Sequence, residues 1–555
     1  MNRLLSQVPR MPRWMPRWRH LRWVACAAVV PALWACNARR LATPDPKPGV
    51  VDARTFKQSV NHKLDLLVMV DDSQSMAPLQ TKLTAQLPNF LMALRDKTTQ
   101  QYPDLHVGVI SSSLGGGAWG NVNQCASGVH PGDDGGKFQQ GLGGAGSGSC
   151  AMLHGGEKYL KNGDGTAANP ANFDGDIGAA FQCIALLGDG GCGFESQFES
   201  TYIALDKASK NSTDDPDNGG FLRDDAVLAV VMLTNEDDCS VNPASLLLDP
   251  GINTATDKSG LGALQSYRCN EFGHLCDGVP PPHGYNFQSM MFDLAPGTFR
   301  TPTGPGTGGV QLNNCVSEEM MGKTDDTLTD PNGNHDSTHG HLFPTVQQLH
   351  DYVISLKNNP EDVLVAAIAG PVADGNNSLY RVFAQANPAA NGELDPVVDH
   401  SCVQATAGGA PPEYADPAVR VKAWVDSFGA NGIFYPICAN DFTMAVKGIA
   451  DKINQRLGAS CVSTNIAPLD PNNPTGPRNC QVTQKTTDMT TGKVTSAKIL
   501  ECDGTTFPCF KLTFNSGSCL DPNAKTLFQT CNDAACMAAN NSSDMKDASI
   551  ACAVQ

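Results

Sequence analysis

Leu64 to Met76 reads LDLLVMVDDSQSM, and the change of character at Asp71 decides the fold. Leu64 to Val70 is a short apolar run of the kind that forms a strand buried on both faces of a parallel sheet. From Met76 to Thr99 the leucines Leu79, Leu83, Leu87, Leu91 and Leu94 recur at intervals of three and four, which predicts a helix. Strand passes to helix within six residues. The same alternation continues along the chain. Leu105–Ser111, Ala226–Leu233, Val363–Ile368 and Ile433–Ile437 read as strands. Phe194–Lys207, Thr345–Leu356, Val419–Phe428 and Phe442–Leu457 read as helices. Alternating strands and helices imply an α/β fold: a doubly wound, mostly parallel sheet with helices on both faces. Ligands of such sheets bind beyond the carboxyl ends of the strands, so the loop after the first strand is the place to look for chemistry.

Two long stretches, about 113–180 and 238–340, interrupt the alternation with Gly-rich, weakly periodic sequence and read as insertions. Beyond Ser460 the composition shifts to Asn, Thr, Asp and Pro, with short β-like runs at Val494–Leu500 and Phe510–Phe514. Residues 461–555 therefore read as a small Cys-rich, mainly β appendage, and 57–460 as the α/β domain.

Asp71, Ser73 and Ser75 form a D-x-S-x-S pattern where the first strand gives way to the helix. Carboxylate and hydroxyl oxygens on a tight turn suit a hard divalent cation. Serine is also a favoured helix cap, so these residues alone leave cap and ligand open. An apolar strand ending in D-x-S-x-S-M resembles the von Willebrand factor A domain with its metal-ion-dependent adhesion site. The segments Cys192-Gly193-Phe194-Glu195 and Asp237-Asp238-Cys239-Ser240 further resemble A-domain lipoproteins of Gram-negative bacteria. The resemblance implies that Ser73 and Ser75 ligate Mg²⁺, with Mn²⁺ or Ca²⁺ as alternatives, and that Asp71 acts through water. It also implies an aspartate after the fourth strand, where this chain has Asn235, with Glu236 or Asp237 as substitutes. A metal-binding threonine is expected on the loop Leu187-Gly188-Asp189-Gly190-Gly191-Cys192, where Asp189 is the nearest oxygen donor.

The N-terminus reads as an export signal. Residues 1–35 hold six arginines and no acid, followed by the 12-residue apolar run Trp23–Trp34. That run is too short to span a bilayer, which takes about 20 residues, and fits a signal peptide. Its end, Leu33-Trp34-Ala35-Cys36, resembles the lipobox of bacterial lipoproteins, which implies cleavage before Cys36 and lipidation of that cysteine. The Pro-containing stretch that follows, up to residue 56, reads as a tether (36–56). Asn37, rather than Asp, after the cysteine suggests the outer membrane under the enteric sorting pattern.

Of 555 residues, 39 are basic and 56 acidic; without the six leader arginines the balance is 33 to 56, a net charge of −23. A surface so acidic argues against nucleic acid. Of the 20 cysteines, Cys26 leaves with the leader and Cys36 takes the lipid. The remaining 18 fall into ten between Cys125 and Cys438 and eight between Cys461 and Cys552, two even blocks that can each close their own disulfides outside the cytoplasm. Close pairs such as Cys183/Cys192, Cys269/Cys276, Cys502/Cys509 and Cys531/Cys536 suggest local bridges.

Other motifs carry less. His335-Asp336-Ser337-Thr338-His339, with His341 nearby, lacks the helical context and glutamate of a zinc-protease site. Asp214–Gly219 and Asp330–Asp336 lack EF-hand spacing and read as turns. No phosphate loop or G-x-S-x-G elbow occurs, so an enzyme is not expected. The leading expectation is a lipid-anchored envelope protein that touches the membrane only through its anchor. Its A domain would bind a protein or glycan through a divalent cation, an acidic group of the partner completing the shell. The alternative is a degenerate A domain serving as a metal-independent scaffold, which the Asn235 substitution and the missing threonine favour.

Overall fold

The computed structural model describes residues 51–57, 63–95, 102–116, 134–141, 150–163, 169–242, 245–251, 261–282, 310–318, 340–386, 394–405, 412–457, 460–487, 494–514, 526–531 and 547–553, apart from single positions or pairs within these ranges, and positions 119, 122 and 125. The leader, Cys36, His335, His339 and Cys536 lie outside the described residues.

Six strands form the main sheet: β1 (Lys63–Val70), β2 (Asp104–Ser111), β3 (Leu160–Lys161), β4 (Val227–Leu233), β5 (Val363–Ala369) and β6 (Gly432–Pro436). Their spatial order is β3-β2-β1-β4-β5-β6. All neighbours are parallel except the short edge strand β3, which runs antiparallel to β2. The order reverses between β1 and β4, which makes the end of the sheet beyond Val70 and Leu233 the place where ligands of such sheets bind.

Side chains alternate across a strand, and the two faces of β1 serve two cores. Leu64, Leu66, Val68 and Val70 pack with helices α1 (Ala77–Thr84), α2 (Leu87–Ala93), α3 (Ile177–Ala185) and α7 (Thr443–Leu457). Leu67 and Met69 face α4 (Gln197–Ala208), α5 (Val346–Ser355) and α6 (Val419–Ser427). The expected α/β sheet, with helices on both faces, is present.

Three local expectations change. The helix read from Met76 to Thr99 is two helices, broken at Ala85–Gln86. Pro88, which has no N–H to donate, lies in the first turn of α2, where no donor is needed. Within the first insertion the chain adds β3, whose two residues are too few to carry a period. It also adds helix α3, which begins inside that insertion and which Asp176 caps by accepting hydrogen bonds from the Gly178 and Ala179 amides at 2.9 and 3.1 Å.

The insertions are not merely irregular. Val122 and Cys125 from the first share one apolar core with Val241, Leu247, Leu264 and Cys269 from the second, joined by Cys192 and Phe194 from the loop before α4. Trp119 donates from its indole N–H to the Ser245 carbonyl at 2.8 Å, tying the two insertions together.

All ten cysteines of the first block pair within it: Cys125–Cys192, Cys150–Cys183, Cys239–Cys269, Cys276–Cys315 and Cys402–Cys438. The local pairs Cys183/Cys192 and Cys269/Cys276 are therefore corrected; each member bridges to a different segment, because packing of the insertions brings distant loops together. Cys502–Cys509 forms as expected, and Cys480–Cys552 joins two neighbouring strands. Seven disulfides among the described residues fit an extracytoplasmic protein.

The C-terminal module is a second, seven-stranded sheet around Val482, Ile499, Phe510, Phe528 and Ile550. Its edge strand comes from the other end of the chain. Val51–Lys57 pairs antiparallel with Asp547–Ala553, from Val51 opposite Ala553 to Lys57 opposite Asp547. The boundary expected at residue 56 thus falls inside a strand, and the last part of the expected tether belongs to this sheet. Among the described residues no helix is long and apolar enough to cross a membrane.

Candidate functional site

The β1–α1 turn is built on Asp71. Its amide donates to the Leu233 carbonyl at 2.9 Å, which extends the β1–β4 pairing one residue past the strands. Its carboxylate is buried and accepts from the Ser73 amide at 2.9 Å, the Thr234 hydroxyl at 2.7 Å and the Ser112 hydroxyl at 3.4 Å. Burial pushes the Asp71 carboxyl above the usual range despite these donors.

Ser73 stands at the N-cap of a single 3₁₀ turn, Gln74–Met76, yet its hydroxyl makes no capping hydrogen bond. It lies 3.0 Å from the Ser75 hydroxyl instead. Ser75 donates toward Asn235 Oδ1 at 3.1 Å and lies 3.4 Å from Glu236 Oε1. The Asn235 amide nitrogen is committed to the Tyr414 carbonyl at 3.1 Å, which leaves its oxygen facing the serines. Asp71, Ser73, Ser75 and Asn235 are thus brought together at the strand crossing point.

Asp189 is not among them. It is solvent-exposed on the loop before α4. That loop is nevertheless pressed onto the site: the Gly191 amide donates to the Asp72 carbonyl at 2.7 Å, and the Cys192 amide to the Ser113 hydroxyl at 2.8 Å. Ser113 in turn donates to Asp72 Oδ1 at 2.8 Å. The acid the loop delivers is Glu195, only 1% exposed, whose Oε2 has no hydrogen-bond partner. Burial raises its carboxyl well above the usual range, and the negative charges of Glu236 and Asp71 add to the effect, while a hydrogen bond from Ser73 opposes it. The sequence held one signal for Glu195, its position between the half-cystine Cys192 and α4.

The acidic run after β4 divides by role. Asn235 and Glu236 face the serines. Asp237 instead accepts the Arg420 and Val421 amides at 2.9 and 3.1 Å at the start of α6, and contacts His274 Nε2 at 2.8 Å. Asp238 accepts the Phe198 amide at 2.8 Å at the start of α4 and pairs with buried Arg420 at 3.0 Å. Asp237 is thus committed to α6 and His274, whereas Glu236 lies beside Ser75.

His341 is buried with Nδ1 2.7 Å from the Ser245 hydroxyl, inside the insertion core. Asp215 accepts the Asp217 and Asn218 amides at 3.0 and 2.8 Å, as a turn-forming residue does. Among the described residues, no group of three or more His, Cys, Asp or Glu side chains is arranged to hold a metal by itself. An ion at this site would depend on hydroxyl and amide oxygens as well as carboxylates.

No family model matches the chain, and no curated protein matches it. Among solved structures it is similar to two of the pilus adhesin SpaC from Lactobacillus rhamnosus GG, one in an open conformation, at 11% and 10% identity and TM-scores of 0.27 and 0.26. It is also similar to the pilus adhesin RrgA from Streptococcus pneumoniae, at 9% identity and a TM-score of 0.25. These matches cover 90%, 90% and 91% of this chain but only 40%, 42% and 58% of the adhesins. Similarity at that level carries no argument about this chain.

Proposed function

We propose that the protein is an extracytoplasmic binding protein of the von Willebrand factor A type, acting through a divalent cation held at the β1–β4 crossing point. The donor set is Ser73, Ser75, Asn235, Glu236 and Glu195, with Asp71 behind them. The cation, Mg²⁺ or in its place Mn²⁺ or Ca²⁺, would supply a concentrated positive charge that attracts an oxygen of a protein or glycan partner. The observation that carries this reading is the Ser73 hydroxyl: it stands at a cap position without capping and turns toward Ser75 and the carboxylates. Buried Glu195 Oε2, without a partner, is the kind of group a cation satisfies. The strand order supports the reading, since its reversal falls beside Asp71.

The protein would be anchored through a lipid on Cys36 in the outer membrane. Catalysis forms no part of this reading.

Calorimetry tests it, using a soluble form of residues 37–555 titrated with Mg²⁺, Mn²⁺ and Ca²⁺. Binding heat is expected from the wild type and not from Ser73→Ala; equal heats from the two would sink the assignment.

One observation favours a metal-independent scaffold. Ser73, Ser75 and Asn235 already satisfy one another. Partner binding that survives chelator would select that reading.

A further inference from the structure

The charge of the mature chain is unevenly spread. Residues 63–459 hold 46 acidic and 21 basic side chains, whereas residues 51–62 and 460–555 together hold nine of each. The negative charge therefore belongs to the α/β domain, and the C-terminal module is balanced. Three of its lysines share one face. Strands β7 (Cys480–Thr487), β8 (Val494–Glu501) and β9 (Cys509–Thr513) are neighbours in the seven-stranded sheet. Val482, Ile499, Phe510 and Leu512 belong to its core, so alternation places Lys485, Lys498, Leu500 and Lys511 on the outer face.

Thr483 is opposite Lys498 and Lys485 opposite Ser496, which makes Lys485 and Lys498 diagonal neighbours. Leu500 follows Lys498 on this face and is 70% exposed. Its partner in register is Cys509, two residues before Lys511. Lysines thus stand on both sides of a large apolar side chain open to solvent. Two acids lie near. Asp547 is opposite Lys485 in the next strand, and Asp503, in the turn after β8, accepts the Thr505 and Thr506 amides at 2.8 Å.

We infer that this face docks on an anionic lipid surface, the lysines meeting headgroup phosphates and Leu500 entering the interface between them. Two observations choose this occupant. The first is charge: a negative membrane surface repels the α/β domain and attracts the outer face of β7, β8 and β9. The second is reach. The chain from Cys36 joins the described fold at Val51–Lys57, which is held in the same sheet through Asp547–Ala553. The 14 residues between Cys36 and Val51 span at most about 50 Å when fully extended, so the module stays near the bilayer that holds the lipid. This second argument rests on the proposed lipid at Cys36; the first does not. A tether limits distance and leaves orientation free, whereas a second, basic contact fixes which side of the protein meets the membrane.

The experiment uses residues 37–555, without the lipid, sedimented with vesicles in the presence of EDTA, so that neither the anchor nor a cation takes part. The vesicles hold equal amounts of phosphatidylglycerol and phosphatidylcholine, or phosphatidylcholine alone. The wild type is expected to bind the anionic vesicles at least tenfold more tightly than the neutral ones, and to lose that preference in high salt. Each lysine near the surface contributes about fivefold, so Lys485→Gln, Lys498→Gln and Lys511→Gln combined should cost at least tenfold. Leu500→Ser, which leaves the charge in place, should cost about fivefold. All four positions are exposed or half-exposed, so the variants keep the fold, which circular dichroism verifies. Equal binding by the wild type and the triple lysine variant overturns the inference, and so does equal binding to the two kinds of vesicle. Binding to dextran sulfate in solution without binding to vesicles assigns the face to a soluble polyanion and overturns it as well. Failure of the anchor reading looks different: the exported full-length protein would then carry no lipid on Cys36, with vesicle binding unchanged.

Discussion

At the scale of single residues, the end of the sheet away from the site holds a buried ion-pair network. Asp65 in β1 is buried and accepts from Arg223 Nε at 2.8 Å and Lys357 Nζ at 3.2 Å. Its replacement by Ala removes the carboxylate that Arg223 and Lys357 share in the interior, although Arg223 keeps Asp104 at 2.7 Å, and urea unfolding should register a loss of about 3 kcal/mol. Beside it, His106 donates from Nδ1 to the Phe221 carbonyl at 2.8 Å, and burial, reinforced by Arg223, lowers its pKa to about 4. The unfolded chain takes up a proton near pH 6.5 and the folded chain only near pH 4, so His106 erodes stability as pH falls through that window. The erosion amounts to roughly 3 kcal/mol at most. Comparing urea midpoints at pH 7 and pH 5, His106→Gln should lose less on acidification than the wild type. An equal loss would show that the proton goes elsewhere.

At the scale of elements, the loop from Leu187 to Ser196 decides whether the site is complete. A Cβ at Gly191 would lie 2.4 Å from Asp72 Oδ1 and 2.7 Å from the Asp72 carbonyl, so only glycine lets the loop approach this closely. Gly191→Ala should push Glu195 away from Ser73 and weaken Mn²⁺ affinity at least tenfold in an otherwise folded protein, as read by titration. Unchanged affinity would separate the loop from the site. The loops bearing Glu195 and Glu236 are each clamped a few residues away, by Cys125–Cys192 and Cys239–Cys269. The Cys239 amide also donates to the Glu195 carbonyl at 2.8 Å, so the two loops hold each other. Cys239→Ser with Cys269→Ser should therefore reduce cation affinity while circular dichroism keeps the α/β signal.

At the scale of the whole molecule, segments almost 500 residues apart in sequence pair in one sheet. Val51–Lys57 covers the edge of Asp547–Ala553, which would otherwise present unpaired backbone groups. A soluble form beginning at residue 58 should unfold its C-terminal module at a lower temperature than one beginning at residue 37, and should self-associate by sedimentation. Identical behaviour would mean that this strand adds nothing to the sheet. The two insertions meet in the same way, in a core that neither holds alone and that includes Phe194, next to Glu195.

The sequence by itself determined the α/β alternation, the segment Asp71 to Ser75 and the even cysteine blocks. Each is a local property: a hydrophobic period, a motif within one turn, a count. Asn235 was also legible, because the strand before it is a continuous apolar run. Only the tertiary structure decided that Glu195 rather than Asp189 faces the serines and that Asp237 and Asp238 serve helix ends. It also decided which cysteines pair and that residues 51–57 belong with the far end of the chain. Those outcomes depend on loop closure and packing between segments far apart in sequence, where no local period carries a signal. A buried carboxylate takes its role from the neighbours that remove its water, and the fold selects those neighbours.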